Sequence, residues 1–227
     1  MADKPNIKLV SFDLDDALYD NQPVIAQAEK LSKAYLQSQF ELQCRDFDYD
    51  NFLRIRRRLL AQDNPAFENM SYFRQQALME YCHLLENKEK IAQQAFQLFI
   101  NARSQAEIPQ AIHNMVQSVA ANFLVVSVTN GNCDPNQLSV GSYFLKNYSP
   151  LAGYRAKPHP QMLLTTINDF NLTPQQVLHV GDSIDKDGLA SQQAGTHFVQ
   201  FSPFAPHCSL ENEIAKVSEF LGIKVVI

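Results

Sequence analysis

Four short stretches carry side chains that could do chemistry: "FDLDDALYDN" from Phe12, "SVTNGN" from Ser127, "RAKPHP" from Arg155 and "HVGDSIDKD" from His179. The first and last are rich in carboxylates, with Asp13, Asp15 and Asp16 in one and Asp182, Asp185 and Asp187 in the other. Between them come Thr129, Asn130, Gly131 and Lys157. Oxygen ligands with no histidine or cysteine in the set favour a hard cation, and a few carboxylates completed by substrate phosphate are the usual way to hold magnesium. Mg2+ is the expected metal. A carboxylate beside such an ion is a competent nucleophile toward phosphorus, because the cation weakens repulsion between two anions and stabilises charge on the phosphoryl oxygens. Thr129 and Lys157 supply donors for a transferring group, and the backbone at Asn130 and Gly131 adds phosphate contacts.

These residues need elements that bring them together. Apolar runs precede them: "IKLVSF" before Asp13, "FLVVSV" before Thr129 and "VLHV" before Gly181, with "THFVQF" and the C-terminal "IKVVI" as further strand candidates. Near-continuous apolar strands of this length suit a sheet covered on both faces. The helical patterns "IPQAIHNMVQSVAAN" and "HPQMLLTTINDFN" lie between the later runs, which argues for a parallel α/β sheet with right-handed crossovers. Ligands of such sheets bind beyond the carboxyl ends of the strands, so the stretches converge on one site.

From about Asp20 to Gln105 the pattern is helical throughout. The candidates are "QPVIAQAEKLSKAYLQSQF", "YDNFLRIRRRLLAQ", "MSYFRQQALMEYCHLL" and "NKEKIAQQAFQLFINARSQ". The expected fold class is therefore α/β, a Rossmann-like parallel sheet core with an all-helical cap inserted after the first strand. Its expected division is 1–19 with 106–227 for the core and 20–105 for the cap.

The whole chain sets further bounds. Its 227 residues, 45% of them hydrophobic, can bury a sizeable core. A net charge of −5 gives no electrostatic reason to bind nucleic acid or an anionic membrane, so an anionic ligand must be held locally. Four cysteines without CxxC spacing argue for reduced thiols and a cytoplasmic protein. The N-terminal apolar run ends in acid too soon for a signal peptide, and no segment is long and apolar enough for a membrane span.

In this order the four stretches resemble the motifs of the haloacid dehalogenase superfamily, in its phosphatase branches, over Ile7 to Phe201. The resemblance implies that Asp13 is the nucleophile, forming an aspartyl phosphate, and that Asp15 is the general acid and base, its backbone carbonyl on magnesium. It also implies that Thr129 donates to phosphate, that Lys157 neutralises phosphate and nucleophile, that Asp182 is a metal ligand and that Asp187 is a carboxylate either linked to the metal or one step behind its ligands. "FDLDDxLYDN" followed by "PVI", "RSQ", "IPQ", "TNGN" and "HVGDS" is similar to the bacterial YigB-like branch of flavin mononucleotide phosphatases. That implies a riboflavin-pathway phosphate or another small phosphorylated metabolite as substrate. A phosphomutase shares the same motifs, whereas a dehalogenase is disfavoured because that branch lacks the second aspartate, here Asp15.

Several residues have plainer readings. Asp16 shapes the loop. His159, His179 and His197 are structural, and "RIRRR" (Arg54, Arg56, Arg57, Arg58) is a solvated helix face. Tyr72, Phe73, Arg74 and Arg103 have two readings, contact with an aromatic ring of a substrate or packing within the helical insert. Ala17 stands where the family usually has threonine. It is the one support for a rival reading, a weakened phosphate-ligand binder, although the family also tolerates valine there.

Overall fold

The computed structural model describes residues 5–225. Five parallel strands form one sheet: β1 (Leu9–Phe12), β2 (Leu124–Val128), β3 (Asn147–Tyr148), β4 (Val177–Gly181) and β5 (His197–Gln200), in the order β3-β2-β1-β4-β5. β1 lies at the centre, Val10 pairing with Val125 on one side and Leu178 on the other. All four of its residues are buried, as are all five of β4. That explains why these runs are largely apolar and do not alternate, Ser11 and His179 being their polar exceptions.

Parallel strands need long crossovers, and helices supply them. α5 (Gln110–Ala120) leads into β2, α6 (Gln161–Asp169) precedes β4, α7 (Leu189–Ala194) joins β4 to β5, and α8 (Leu210–Leu221) follows β5. Met162, Leu163 and Ile167 of α6 pack with Leu9, Val126 and Val177 of the sheet. α8 begins at Ser209, whose hydroxyl accepts from the Asn212 N–H, and ends at Gly222 in the left-handed conformation that glycine adopts without strain.

Two elements differ from the sequence expectation. β3 is only two residues long and has no apolar run; neighbouring chain pairs it to β2 through Leu145 N–H to Val125 O and Thr129 N–H to Tyr148 O. The C-terminal "IKVVI" is not a strand over 223–225, and its last two residues lie outside the described residues.

The chain divides into two compact units, Met1–Asn21 with Ala106–Ile227, and Gln22–Gln105. The second contains α1 (Asn21–Leu42, from its second residue), α2 (Tyr49–Leu60), α3 (Met70–Tyr81) and α4 (Lys88–Arg103), and no strand among its described residues. Its core includes Leu36, Phe40, Phe52, Phe73, Leu78 and Tyr81. In α2 the buried positions Phe52, Ile55 and Leu59 recur at helical spacing. Its arginines take the remaining faces: Arg54 bonds Asp48, Arg58 bonds Glu80 and Arg56 bonds Glu29.

Glu29 links all four helices. It accepts from Arg56 (3.0 Å) and Tyr49 (2.7 Å) on α2 and twice from Arg74 on α3 (2.9 and 2.7 Å). The Arg74 guanidinium lies 3.4 Å from the ring centroid of Phe99 on α4. Phe73 and Arg74 are thus packing residues, and Arg103 is buried as well.

Candidate active site

Asp13 directly follows β1, and its N–H still donates to Val180 O of β4 at 2.8 Å. The sheet thus fixes its backbone while its side chain, 10% exposed, stands at the carboxyl edge. The chain then turns. Asp16 adopts a left-handed backbone, φ 60°, which aspartate tolerates better than most residues. Its N–H donates to Tyr19 O (2.9 Å), and its Oδ1 accepts from the Asn21 N–H (3.0 Å) at the start of α1. Asp16 therefore shapes the loop and caps the helix. Ala17 and Tyr19 are fully buried, and the Tyr19 hydroxyl donates to Asp15 Oδ1.

At the end of β2, the Thr129 hydroxyl oxygen accepts from the Gly131 N–H at 3.0 Å, so its own hydrogen is left for an acceptor in the site. The Asn130 amide is engaged twice with the main chain of Lys157: its NH2 donates to Lys157 O and its Oδ1 accepts from Lys157 N–H, each at 2.8 Å. Its side chain thus fastens one loop to another. Lys157 precedes a cis bond to Pro158. Its Nζ donates to Asp13 Oδ1 (2.9 Å) and Val128 O (2.6 Å), and lies 2.5 Å from Asp187 Oδ1.

Beyond β4, a π turn over Ile184–Gly188 folds the chain back. Asp187 N–H donates to Ser183 O (2.8 Å), and Asp187 Oδ2 accepts from Ser183 N–H (3.0 Å). Gly181 makes this possible, because a Cβ there would lie 2.5 Å from Asp187 Cγ. Beneath lies a polar chain: His179 Nε2 is 2.9 Å from Asp187 Oδ1, and its Nδ1 is 2.9 Å from Ser11 Oγ. All three residues are buried. Burial pushes the His179 pKa down despite Asp187, which fits a neutral ring donating to Asp187 and accepting from Ser11. Nothing in the residue types alone points to this chain, since Ser11 and His179 become neighbours only through the β1–β4 pairing.

The site contains more negative charge than Lys157 can balance. Burial pushes Asp13 up to about 7, with the charges of Asp187 and Asp15 adding to the shift and Lys157 opposing it. Burial also raises Asp182, helped by Asp187 and Asp16. Asp187 is the exception: burial would raise it, but Lys157 and His179 hold it well below the usual carboxylate range. Lys157 stays charged, because Asp13 and Asp187 outweigh its burial. One buried ammonium is thus shared by two carboxylates.

Asp13, Asp182 and Asp187 offer carboxylate oxygens within 4.8 Å of one another. This all-oxygen set, undersupplied with positive charge, fits a hard divalent cation such as Mg2+. Asp15's carboxylate is outside this trio, and its expected contribution is the main-chain carbonyl. Asp185 is exposed on the π turn. His159 is exposed and accepts from Gln161 N–H, and His197 packs edge-on against Phe220.

Residues 7–195 match the family described as haloacid dehalogenase-like hydrolase. The 5-amino-6-(5-phospho-D-ribitylamino)uracil phosphatase YigB of Escherichia coli (strain K12) is 28% identical over 185 residues, 80% of this chain and 77% of that protein. The crystal structure of 2-haloacid dehalogenase from Pseudomonas syringae pv. Tomato DC3000 superposes with a TM-score of 0.84 at 26% identity, covering 95% of this chain and 98% of the other. A haloacid dehalogenase-like family hydrolase from Xanthomonas campestris gives 0.61 at 19% identity, covering 95% and 92%, and shows the shared fold. No described helix is long and apolar enough to cross a membrane. With the family match spanning most of the sheet and every strand-end motif, the chain belongs to the haloacid dehalogenase-like hydrolases.

Proposed function

We propose that this protein is a magnesium-dependent phosphomonoesterase working through an aspartyl-phosphate on small phosphorylated metabolites. One observation carries the reading: Asp13, Lys157, Asp182 and Asp187, supplied by different strand ends, meet in one buried, anion-rich site. Asp13, Asp182 and Asp187, with the Asp15 carbonyl, are the groups we assign to Mg2+, which when bound would offset carboxylate and phosphate charge.

In this mechanism Asp13 attacks phosphorus, and Asp15 gives its proton to the departing alcohol, then takes one from the water that cleaves the phosphoenzyme. Lys157 holds the Asp13 carboxylate by a direct hydrogen bond and offers positive charge to the phosphoryl group. The Thr129 hydroxyl and the backbone at Asn130 and Gly131 bind phosphate oxygens. The name of the Escherichia coli relative supports a riboflavin-pathway phosphate, or flavin mononucleotide, as the first substrates to try.

The Pseudomonas syringae structure named as a dehalogenase supports a second reading, haloacid hydrolysis. Asp15 favours the phosphatase, because displacing halide needs no acid to protonate an alcohol. The test is a phosphate-release screen over flavin, nucleotide and sugar phosphates with Mg2+, a chelator control and the Asp13→Asn variant. A 2-haloacid is assayed in parallel for halide release. Chelator-sensitive phosphate release abolished in Asp13→Asn is the expected result. Full phosphatase activity of Asp13→Asn overturns the reading, as does halide release alone.

A further inference from the structure

Asp15 is held by a side chain from its own loop. Tyr19 is fully buried, and its hydroxyl donates to Asp15 Oδ1. The main chain brings the two together: Asp15 and Tyr19 form an isolated bridge, Asp16 N–H donates to Tyr19 O, and Leu18 N–H donates to Leu14 O at 2.9 Å. The left-handed Asp16 makes that return possible. The ring is thus clamped on both its backbone and its buried face, and it cannot easily leave the carboxyl group. Ala17, equally buried, has no hydroxyl to offer.

We propose that Tyr19 is a positioning residue for the proton-transferring carboxyl group of Asp15. The inference rests on the phosphatase reading and adds a residue to it. In the first half-reaction an Asp13 oxygen forms a bond to phosphorus. The ester P–O bond breaks, its electron pair stays on the leaving oxygen, and that oxygen takes the proton from Asp15. Tyr19 keeps its own proton throughout. Its hydrogen bond fixes the plane of the carboxyl group and strengthens as Asp15 becomes anionic, because a charged acceptor binds a hydroxyl more tightly than a neutral one.

The consequence depends on the leaving group. A nitrophenolate departs readily without protonation, whereas an alkoxide needs the acid. The experiment compares Tyr19→Phe with wild type on p-nitrophenyl phosphate and benzyl phosphate, reading kcat/KM, which reports the steps through phosphoryl transfer. Tyr19→Phe is expected to lower kcat/KM for benzyl phosphate about tenfold, the effect of one orienting hydrogen bond. For p-nitrophenyl phosphate the expected loss is about twofold or less on the same scale, with the melting temperature retained.

A double-mutant cycle closes the test: in an Asp15→Asn background, Tyr19→Phe is expected to add nothing. Equal losses on both esters, no loss on either, or a full further loss in the Asp15→Asn background each overturn the proposal. A wild-type protein that hydrolyses neither ester, and no other phosphate ester in the screen, overturns the phosphatase reading and this inference with it.

Discussion

The Asn130 side-chain amide and the Lys157 main chain form a closed pair of hydrogen bonds, each 2.8 Å long, that joins the loop after β2 to the loop bearing the lysine. Lys157 Nζ then reaches Asp13 and Asp187 from a fixed base. Asn130→Ala removes both bonds while leaving the lysine in the chain. Loss of two neutral hydrogen bonds is worth roughly 1–3 kcal/mol, so kcat is expected to fall about ten- to a hundredfold. The inhibition constant of orthovanadate, which competes for the phosphate site, should weaken in parallel. Wild-type kcat in the variant would show that Lys157 is held by other means.

Asp187 depends on His179 for one of its donors, and His179 depends on Ser11 for its second bond. Replacing His179 by alanine leaves a buried carboxylate oxygen with one donor fewer and opens a cavity beside the sheet. Melting should show a loss of roughly 2–4 kcal/mol. Asparagine, which can still donate, should recover part of the activity lost in the alanine variant. Equal activity of the two variants would show that His179 only fills space.

The titration of Asp13 gives a signed prediction for magnesium. Its folded-state pKa, about 7, lies above that of the unfolded chain. In metal-free protein its stabilising contribution is therefore complete below about pH 4 and is lost as the pH rises through 7. A cation that needs the ionised carboxylate competes with that proton at low pH. The melting-temperature gain from added Mg2+ should thus be larger at pH 8 than at pH 6, as read by differential scanning fluorimetry. A gain that is larger at pH 6 would remove Asp13 from the metal set.

In the helical unit, Glu29 behaves in the opposite sense. Burial pushes its pKa up, but the hydrogen bonds and charge of Arg74, with Tyr49 and Arg56, bring it down to about 2. Its contribution is present above its ordinary pKa and fades as the pH falls through 2. Glu29→Gln leaves Arg74, only 4% exposed, without its counter-charge. Denaturant unfolding should register a loss of roughly 3 kcal/mol. Glu29→Gln and Arg74→Met together should cost less than Glu29→Gln alone, since no charge is then stranded.

Much of this protein was legible in one dimension because the governing forces are local or periodic. Buried strands of a parallel sheet must be apolar on both faces, so "LVSF", "LVVSV" and "VLHVG" announce themselves. Helices that bury one face repeat every three to four residues, and the α2 pattern Phe52, Ile55, Leu59 does so. Chemistry-bearing residues gather at strand ends, so Asp13, Thr129 and Asp182 could be picked out before any coordinates. β3 escaped notice because two residues have no period, and "IKVVI" misled because apolar character alone does not supply a strand partner.

The sequence by itself determined the residue types at the site, the order of the elements and the concentration of acids in two short stretches. Tertiary structure alone decided how the charge is shared and which neutral groups hold the ions in place. Asp13 and Asp187 share one buried ammonium, Lys157 Nζ, at 2.9 and 2.5 Å, because the fold brings both carboxylates to it. Ser11, His179 and Tyr19 are unremarkable residues until strand pairing and a left-handed turn place their polar atoms against Asp187 and Asp15. Hydrogen bonding acts over about 3 Å, whereas Ser11 and His179 stand 168 positions apart along the chain. Only the folded chain brings them within reach of each other.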